Sequence, residues 1–247
     1  MILFNSPLKE TIKLFFFCLL FHTGSFLYGQ HNSTDQPNDQ LLTLIKEKNT
    51  PPTHSYHLLN GRKHTFIYPS ARGNPYFNDL NWQNGIVKAN GFTFDSVIIA
   101  YEILNDVLLM NHFSKDGSVI IALNAENIRE FSIKDKSFIN FSLIYPDIAT
   151  GGVYYEQLYQ EKSGIYVKYS KTISSGSNAA NEYRSRETLY LLNNNLLIPI
   201  KNKRKIYKAL SDKKKELKQY ARENLPYFSI KNHTQVIDLI KHYDELN

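Results

Sequence analysis

The stretch SVIIAYEILNDVLLMNHFSKDGSVIIAL, residues 96–123, decides the fold. It contains three apolar runs, at 97–104, 107–113 and 119–123, separated by Asn105-Asp106 and by Lys115-Asp116-Gly117. An Asp-Gly pair favours a tight hairpin because its residues adopt positive φ with little strain. Short apolar runs between such turns predict neighbouring antiparallel strands.

The alternation of apolar runs and turns continues to about residue 200. Further runs are expected as strands at 128–133, 138–145, 153–159, 165–173, 182–192 and 196–200. Aromatic residues make up 13% of the chain, and they suit the pleated, half-buried surface of a sheet. We therefore predict a mainly β domain over 54–200, an antiparallel meander that forms a curved sheet, a roll or a barrel-like structure. In the run at 165–170, Lys168 and Ser170 are expected on the face opposite the apolar one.

The pattern changes to helical spacing after residue 200. Helices are predicted at 202–209 and 212–223, the second capped by Ser211 or Asp212. A third begins after Asn232, which with Gln235 resembles a capping box. An apolar stripe from Val236 to Leu246 follows at helical spacing. The sequence therefore predicts a small, basic α-helical module at 201–247 that packs on the β domain.

The N-terminus has the pattern of a secretory signal peptide over 1–29. Lys9 and Lys13 precede an eight-residue apolar run at 14–21, and small residues follow it. Cleavage is expected after Gly29, with cleavage after Ser25 and an uncleaved anchor as the alternatives. Residues 30–53 are read as a polar lead-in with a short helix at 41–48. The protein is expected in the periplasm or cell envelope, or outside the cell.

The only cysteine, Cys18, lies inside the apolar run of the predicted signal peptide. Phe16 and Phe17 precede it, where a lipoprotein signal has small residues. A mature chain without cysteine has no disulfide, no thiolate metal site and no cysteine nucleophile. Its stability has to come from a packed core.

Positive charge is concentrated in the predicted helical module. Residues 199–247 hold 12 Lys and Arg against 6 Asp and Glu. The cations expected to contact an anion, a membrane surface or a partner are Lys203, Arg204, Lys205, Lys213 and Lys214. The simpler interpretation is a solvated helix face. Nucleic acid is not expected as a partner because the chain is predicted to be exported.

Aromatic residues are the candidates for ligand or partner contact. Trp82 and Tyr76 lie among asparagines, and exposed aromatic rings beside asparagine can stack on sugars or anchor a partner. Tyr155 and Glu156 lie in the aromatic run at 154–159. The simpler interpretations are a Trp82 buried at a sheet edge and a Glu156 that faces water by strand alternation.

Motifs for known chemistries are missing from the sequence. There is no Gly-x-Ser-x-Gly elbow, no phosphate-binding glycine loop and no His-Glu-x-x-His. His54-x-x-His57 with His64 is the densest histidine cluster, but residues i and i+3 of a strand point to opposite faces. We therefore expect no metal and no cofactor. Carboxylate pairs meet in space rather than in sequence, so this kind of site stays open.

The order of elements resembles a family of exported Bacteroidota proteins that has no assigned activity. The resemblance covers about 54–247, and its central residues are Tyr101-Glu102-Ile103-Leu104-Asn105-Asp106, Tyr154-Tyr155-Glu156-x-Leu158-Tyr159, Lys168 and Lys171. Glu102 stands where the pattern has an Asp. The resemblance implies an exported location and a β-plus-helix layout, and it brings no catalytic residue.

These patterns favour a non-enzymatic exported protein, a binding or envelope-accessory module of unknown ligand. One form of this hypothesis is a carrier whose curved sheet holds an apolar ligand. The partner is then a small molecule or an envelope protein. The alternative is a carboxylate-dependent hydrolase that acts outside the cytoplasm.

Overall fold

Eleven antiparallel strands form one sheet in this computed structural model. The structure describes residues 58, 60–65, 70–78, 82–114, 117–148, 150–175 and 181–247. The strands are β1 Gly61–Lys63, β2 Gln83–Ala89, β3 Phe92–Glu102, β4 Val107–Ser114, β5 Gly117–Leu123, β6 Ile128–Ile133, β7 Lys136–Asn140, β8 Tyr154–Gln160, β9 Gly164–Ser175, β10 Asn181–Asn193 and β11 Leu196–Ile200. The prediction of a mainly β, antiparallel domain is confirmed.

The strand order is β1-β5-β4-β3-β2-β6-β7-β8-β9-β10-β11. Strands β2 to β5 form one meander and β6 to β11 a second one. They join where β6 returns to pair with β2 instead of β5, while β1 takes the free edge of β5. The sheet is not closed, since β1 and β11 are its two edges.

The sheet curves strongly enough to bring β3 close to β9 and β10. The N–H of Lys171 in β9 donates to the carbonyl of Ile103 at the end of β3, at 3.1 Å. The segment 70–78 spans the same gap, because Tyr76 bridges to Glu102 and Arg72 bridges to Glu182. These contacts join strands that are five or six positions apart in the sheet.

The inside of this curve is filled by an aromatic cluster that we call the concave core. Its rings lie 4.7–6.3 Å apart and belong to Phe77, Tyr101, Phe131, Phe138, Tyr154 and Tyr169. Apolar side chains of β2 to β6 complete the cluster, and Ile99 and Leu108 among them are fully buried. Close-packed rings of this kind stabilise through burial and through edge-to-face contacts.

Three C-terminal helices pack on the face of the sheet that carries the concave core, against strands β8 to β11. After the short helix α1 Phe141–Ile144, these are α2 Lys203–Ala209, α3 Lys214–Asn224 and α4 His233–Glu245. Ile206, Leu217 and Leu239 of the helices share one buried cluster with side chains of β8 to β11. The register aligns Phe138 of the concave core with Val167 of this cluster through Glu156, so both cores lie on one face. No helix among the described residues is long and apolar enough to cross a membrane.

Most predicted element bounds agree with the structure within a few residues, and two predictions are wrong. The expected strand at 138–145 ends at Asn140, whose side chain accepts from the N–H of Leu143 and starts α1. Neither Ser211 nor Asp212 caps α3, whose N-cap position is Lys213 without a side-chain hydrogen bond, and the Asp212 carboxylate accepts from the Tyr243 hydroxyl at 3.1 Å instead.

Asn232 caps α4 as predicted, by accepting from the N–H of Gln235 at 3.2 Å. The Gln235 side chain does not return this bond to Asn232. It accepts from the N–H of Ser229 and donates to the carbonyl of Pro226. The predicted signal peptide, the polar lead-in, His54 and His57 lie outside the described residues.

Candidate functional site

A buried ion pair between Asp106 and Lys168 lies where the two halves of the sheet meet. Lys168 Nζ is 2.6 Å from Asp106 Oδ1, and these side chains are only 10% and 17% exposed. The ammonium group also donates to the Tyr101 hydroxyl at 3.2 Å and to the carbonyl of Tyr154 at 2.9 Å. The hydroxyl of Tyr101 donates to Asp106 Oδ1, and the N–H of Val153 donates to Oδ2.

Backbone conformation on both sides positions this pair. Asp106 ends the turn between β3 and β4 with φ +60°, a left-handed conformation that Asp tolerates better than most residues. Gly152 lies against the pair from the other side. A Cβ at this position would be 2.5 Å from Lys168 Cε and 2.9 Å from Asp106 Oδ2, so a larger residue here would displace the side chains of the ion pair.

The pKa shifts at this ion pair are of the kind found in reactive sites, but every proton of the Lys168 ammonium already has an acceptor. Burial lowers the pKa of Lys168, against the opposing effect of Asp106. Burial, and then Asp106, raises the pKa of Tyr101 well above 10.0. A lysine of lowered pKa can serve as a nucleophile or base. Here, however, Asp106, Tyr101 and the carbonyl of Tyr154 accept all three protons of the ammonium, and Gly152 covers it. The arrangement is therefore suited to a structural role.

Two more buried carboxylates are held in the same way. Glu156 lies 2.6 Å from Lys136 Nζ through Oε1, and its Oε2 accepts from the Tyr169 hydroxyl at 2.6 Å. Glu102 accepts from the Asn105 amide at 2.6 Å and lies 3.0 Å from His64 Nε2. Each carboxylate already has a positive or donating partner.

Three open pockets lie on the β domain, and each has one carboxylate in its lining. A pocket of about 470 Å³ includes Arg62 and Asp106, and one of about 540 Å³ includes Phe77 and Glu187. The third, of about 330 Å³, includes Asp95. The lining of these three pockets therefore lacks the carboxylate pair that a glycosidase requires.

The structure does not bring the four predicted ligand-contact residues together in one site. Tyr76 is 2% exposed, and with the half-buried Trp82 it belongs to a small cluster around Leu109. Tyr76 also lines the 540 Å³ pocket. Tyr155 is fully buried in a different cluster, beside Phe141 and Tyr166. The interpretation of Glu156 as facing water is wrong, because Lys136 and Tyr169 bind its carboxylate inside the fold and leave it 4% exposed.

The predicted cations of the helical module lie at the surface. Lys213 is half-buried, and Lys203, Arg204, Lys205 and Lys214 are exposed. We call the exposed cations of α2 and α3 the cationic surface; they are Lys203, Arg204, Lys205, Lys208, Lys214, Lys215, Lys218 and Arg222. Within the part of the chain that the structure describes, none of these eight forms an ion pair.

Two cation–π contacts show that α2 and α3 present these charges together. Lys203, at the start of α2, lies 5.4 Å from the ring of Phe228, which follows the end of α3. Lys218, in the middle of α3, lies 5.8 Å from the ring of Tyr207, near the end of α2. The two helices are therefore antiparallel neighbours, and their exposed cations form one surface.

Sequence reasoning missed the Asp106–Lys168 pair. The sequence pattern indicates only a turn at Asp106, and it places Lys168 opposite an apolar face. The available signal was a lysine within the apolar run at 165–169, since a charge in a buried strand requires a partner. Among the described residues, no group of three or more His, Cys, Asp and Glu could hold a metal ion.

Comparisons of the chain with protein-family models, curated proteins and solved structures find no match.

The buried ion pair gives a first prediction on stability. Asp106→Asn leaves the Lys168 charge buried without its counterion, so the free energy of unfolding should fall by about 3 kcal/mol or more. The double variant with Lys168→Met should lose less than the sum of the two single variants. Urea unfolding measures all three.

The exposed pair Lys88–Glu130, at 2.9 Å, is the matched control and should couple by about 1 kcal/mol or less. Additive losses at 106 and 168 would contradict the structural role.

The buried tyrosines give a second prediction, on alkaline pH. Burial is the largest cause that raises the pKa of nine tyrosines, and it raises that of Tyr155 to about 12. The others are Tyr76, Tyr101, Tyr154, Tyr159, Tyr166, Tyr169, Tyr207 and Tyr243.

Above pH 10 these tyrosines lose protons in the unfolded state but keep them in the folded state. Stability is therefore retained below pH 10 and should fall above it, by about 1.4 kcal/mol per pH unit for each protected tyrosine. Lys168 acts the other way between its lowered pKa and 10.5, but it is one group against nine. Tyrosinate absorbance and far-UV circular dichroism should change together in an alkaline titration. Complete tyrosine ionisation in a chain that keeps its native dichroism would show that these rings are not buried.

Proposed function

We propose that this chain is an exported, non-enzymatic binding protein that attaches to an anionic partner through its cationic surface. The observation that carries the proposal is the eight exposed Lys and Arg side chains of α2 and α3, none of which forms an ion pair with another described residue. A cluster of one sign of charge attracts and holds partners of the opposite sign.

The contrast with the β domain supports a role for these charges. In the β domain the buried Lys168 contacts Asp106, and the buried Glu156 contacts Lys136. These buried charges stabilise the fold. Across residues 201–222, ten Lys and Arg face only Asp212 and Glu216. With Glu223, the last acidic residue of α3, residues 201–224 carry a net charge of +7.

The arrangement of the cations also has a cost that an anionic partner removes. Lys214, Lys218 and Arg222 lie at i, i+4 and i+8 of α3, so they are neighbours on one side of the helix. Like charges at this spacing destabilise a helix by a few tenths of a kcal/mol per pair. The first turn of α2 contains no acidic residue to oppose Lys203, Arg204 and Lys205. Binding an anion converts this repulsion into attraction.

The other two hypotheses have less support. The hydrolase requires two carboxylates in one cleft, and each of the three pockets described above has one. The apolar-ligand carrier requires space inside the curved sheet, where the rings of the concave core pack against each other.

A third prediction tests the proposed function with dextran sulfate, a soluble polyanion. Replacement of Arg204, Lys205, Lys214 and Lys215 by Gln should weaken binding at least about 10-fold at low salt, because each cation near an anionic surface contributes about 1 kcal/mol. Lys203 and Lys218 are kept for their aromatic contacts. Calorimetry across a salt series measures the effect, and wild-type affinity should fall steeply as salt rises.

The control variant removes the same charge from the β domain. Arg129, Lys134, Arg184 and Arg186 are exposed there, and replacing all four by Gln gives the same net charge as the test variant. This control should bind dextran sulfate about as well as wild type. Equal losses in both variants would mean that net charge, rather than the cationic surface, determines binding, and the proposal would fall.

A further inference from the structure

We infer that the anionic partner is the headgroup surface of a lipid bilayer and that Tyr227 is the side chain that enters it. This inference rests on the proposed function, because it uses the same cationic surface. It adds the class of partner and one residue that electrostatics alone does not require.

Tyr227 is the most exposed of the large hydrophobic side chains described, at 99%. The turn that carries it is closed by the N–H of Phe228, which donates to the carbonyl of Leu225 at 3.1 Å. Leu225 and Phe228 are each only 6% exposed, so both ends of the turn are fixed in the core. The ring of Tyr227 therefore projects into solvent from a well-anchored turn.

The backbone at Tyr227 is unfavourable for a bulky residue. Its φ is +55°, and it occupies the third position of the turn, after Pro226. Positive φ at this position favours glycine or asparagine. A tyrosine here loses backbone stability and also exposes an aromatic ring to water. Neither the fold nor the cationic charge explains why a ring is placed here.

Tyr227 lies in the chain three residues after the end of α3, which carries part of the cationic surface. Phe228, the next residue, contacts Lys203 of α2 through its ring at 5.4 Å. Tyr227 thus follows the end of α3 and is adjacent to the start of α2. An exposed aromatic residue close to a cluster of lysines is typical of proteins that bind the membrane interface. In such proteins the cations contact lipid headgroups and Tyr lies at headgroup depth.

A bilayer fits this surface better than a small anion or a folded acidic protein. Six of its eight cations are lysines, which act as mobile point charges and suit diffuse attraction to headgroups more than bidentate recognition. The surface therefore suits an extended partner.

The experiment compares vesicle binding with dextran sulfate binding for the same variants. The vesicles contain phosphatidylcholine with or without phosphatidylglycerol, and sedimentation measures the bound fraction. Tyr227→Asn should weaken binding to the anionic vesicles by about 5- to 10-fold and leave binding to dextran sulfate unchanged. Asparagine tolerates positive φ, so the variant should fold at least as well as wild type.

Two controls separate insertion from general effects. Phe113→Asn removes another exposed ring, 63% exposed at the end of β4, and should leave vesicle binding unchanged. Tyr227→Trp introduces a fluorophore that vesicles with brominated acyl chains should quench. The native Trp82 of the wild-type protein should stay unquenched, because it lies in the β domain cluster around Leu109.

The possible results distinguish this inference from the proposed function. Binding to dextran sulfate without binding to anionic vesicles overturns the bilayer and leaves the proposed function standing, with a soluble anionic partner. The inference is also overturned if wild type and Tyr227→Asn bind anionic vesicles equally. It is overturned as well if the wild-type protein binds neutral vesicles as strongly as anionic ones. Failure to bind either probe overturns both. Loss of vesicle binding alone in Tyr227→Asn, with quenching at position 227, supports the inference.

Discussion

The buried ion pair between Asp106 and Lys168 is the interaction on which the curved sheet depends. It joins the β3–β4 turn to β9, which lies five positions from β3 in the sheet. Glycine at position 152 lets the backbone lie against this pair without displacing its side chains. The hydroxyl of Tyr101 and the backbone of Val153 complete its shell, and the concave core packs beside it. The cost of burying two charges is offset here by full hydrogen bonding, which also fixes how the two meanders meet.

Charge has two separate roles in this chain. In the β domain the carboxylates of Glu102, Asp106 and Glu156 lie inside the fold, and each binds a partner supplied by a distant segment. At the end of the chain Asp244 follows the same rule, since its carboxylate accepts from Tyr159 and Ser163 and fixes the C-terminal end of α4 to the β8–β9 turn. The cations of α2 and α3 do not follow this rule. The buried carboxylates thus have partners inside the fold, whereas the cations of α2 and α3 form no ion pair among the described residues, and this contrast is the basis of the proposed attachment to an anionic partner.

The sequence predicted local elements well and long-range contacts poorly. The bounds of β6 and β11 agree with the runs at 128–133 and 196–200, because turn residues flank both strands. No local pattern shows that β6 pairs with β2 or that Lys168 reaches Asp106, since these contacts depend on how the sheet curves. Strand alternation predicts that Glu156 faces water because it assumes that only one face of the strand is buried. In the structure, Lys136 and Tyr169 bind the Glu156 carboxylate inside the fold. The exposed lysines were predictable from composition, whereas Tyr227 became a candidate only through its exposure and positive φ.

The division between internal and external charge is tested most directly by the reactivity of individual lysine amines. The folded protein is treated with an amine-reactive reagent, with and without phosphatidylglycerol vesicles, and mass spectrometry gives the labelling rate at each lysine. The account predicts that Lys168 stays unlabelled in both samples, because its ammonium is enclosed by three acceptors. It predicts rapid labelling of Lys205 and Lys214 in the free protein and strong protection of both by vesicles. Rapid labelling of Lys168 in the folded chain, or unchanged labelling of Lys205 and Lys214 on vesicles, would contradict it.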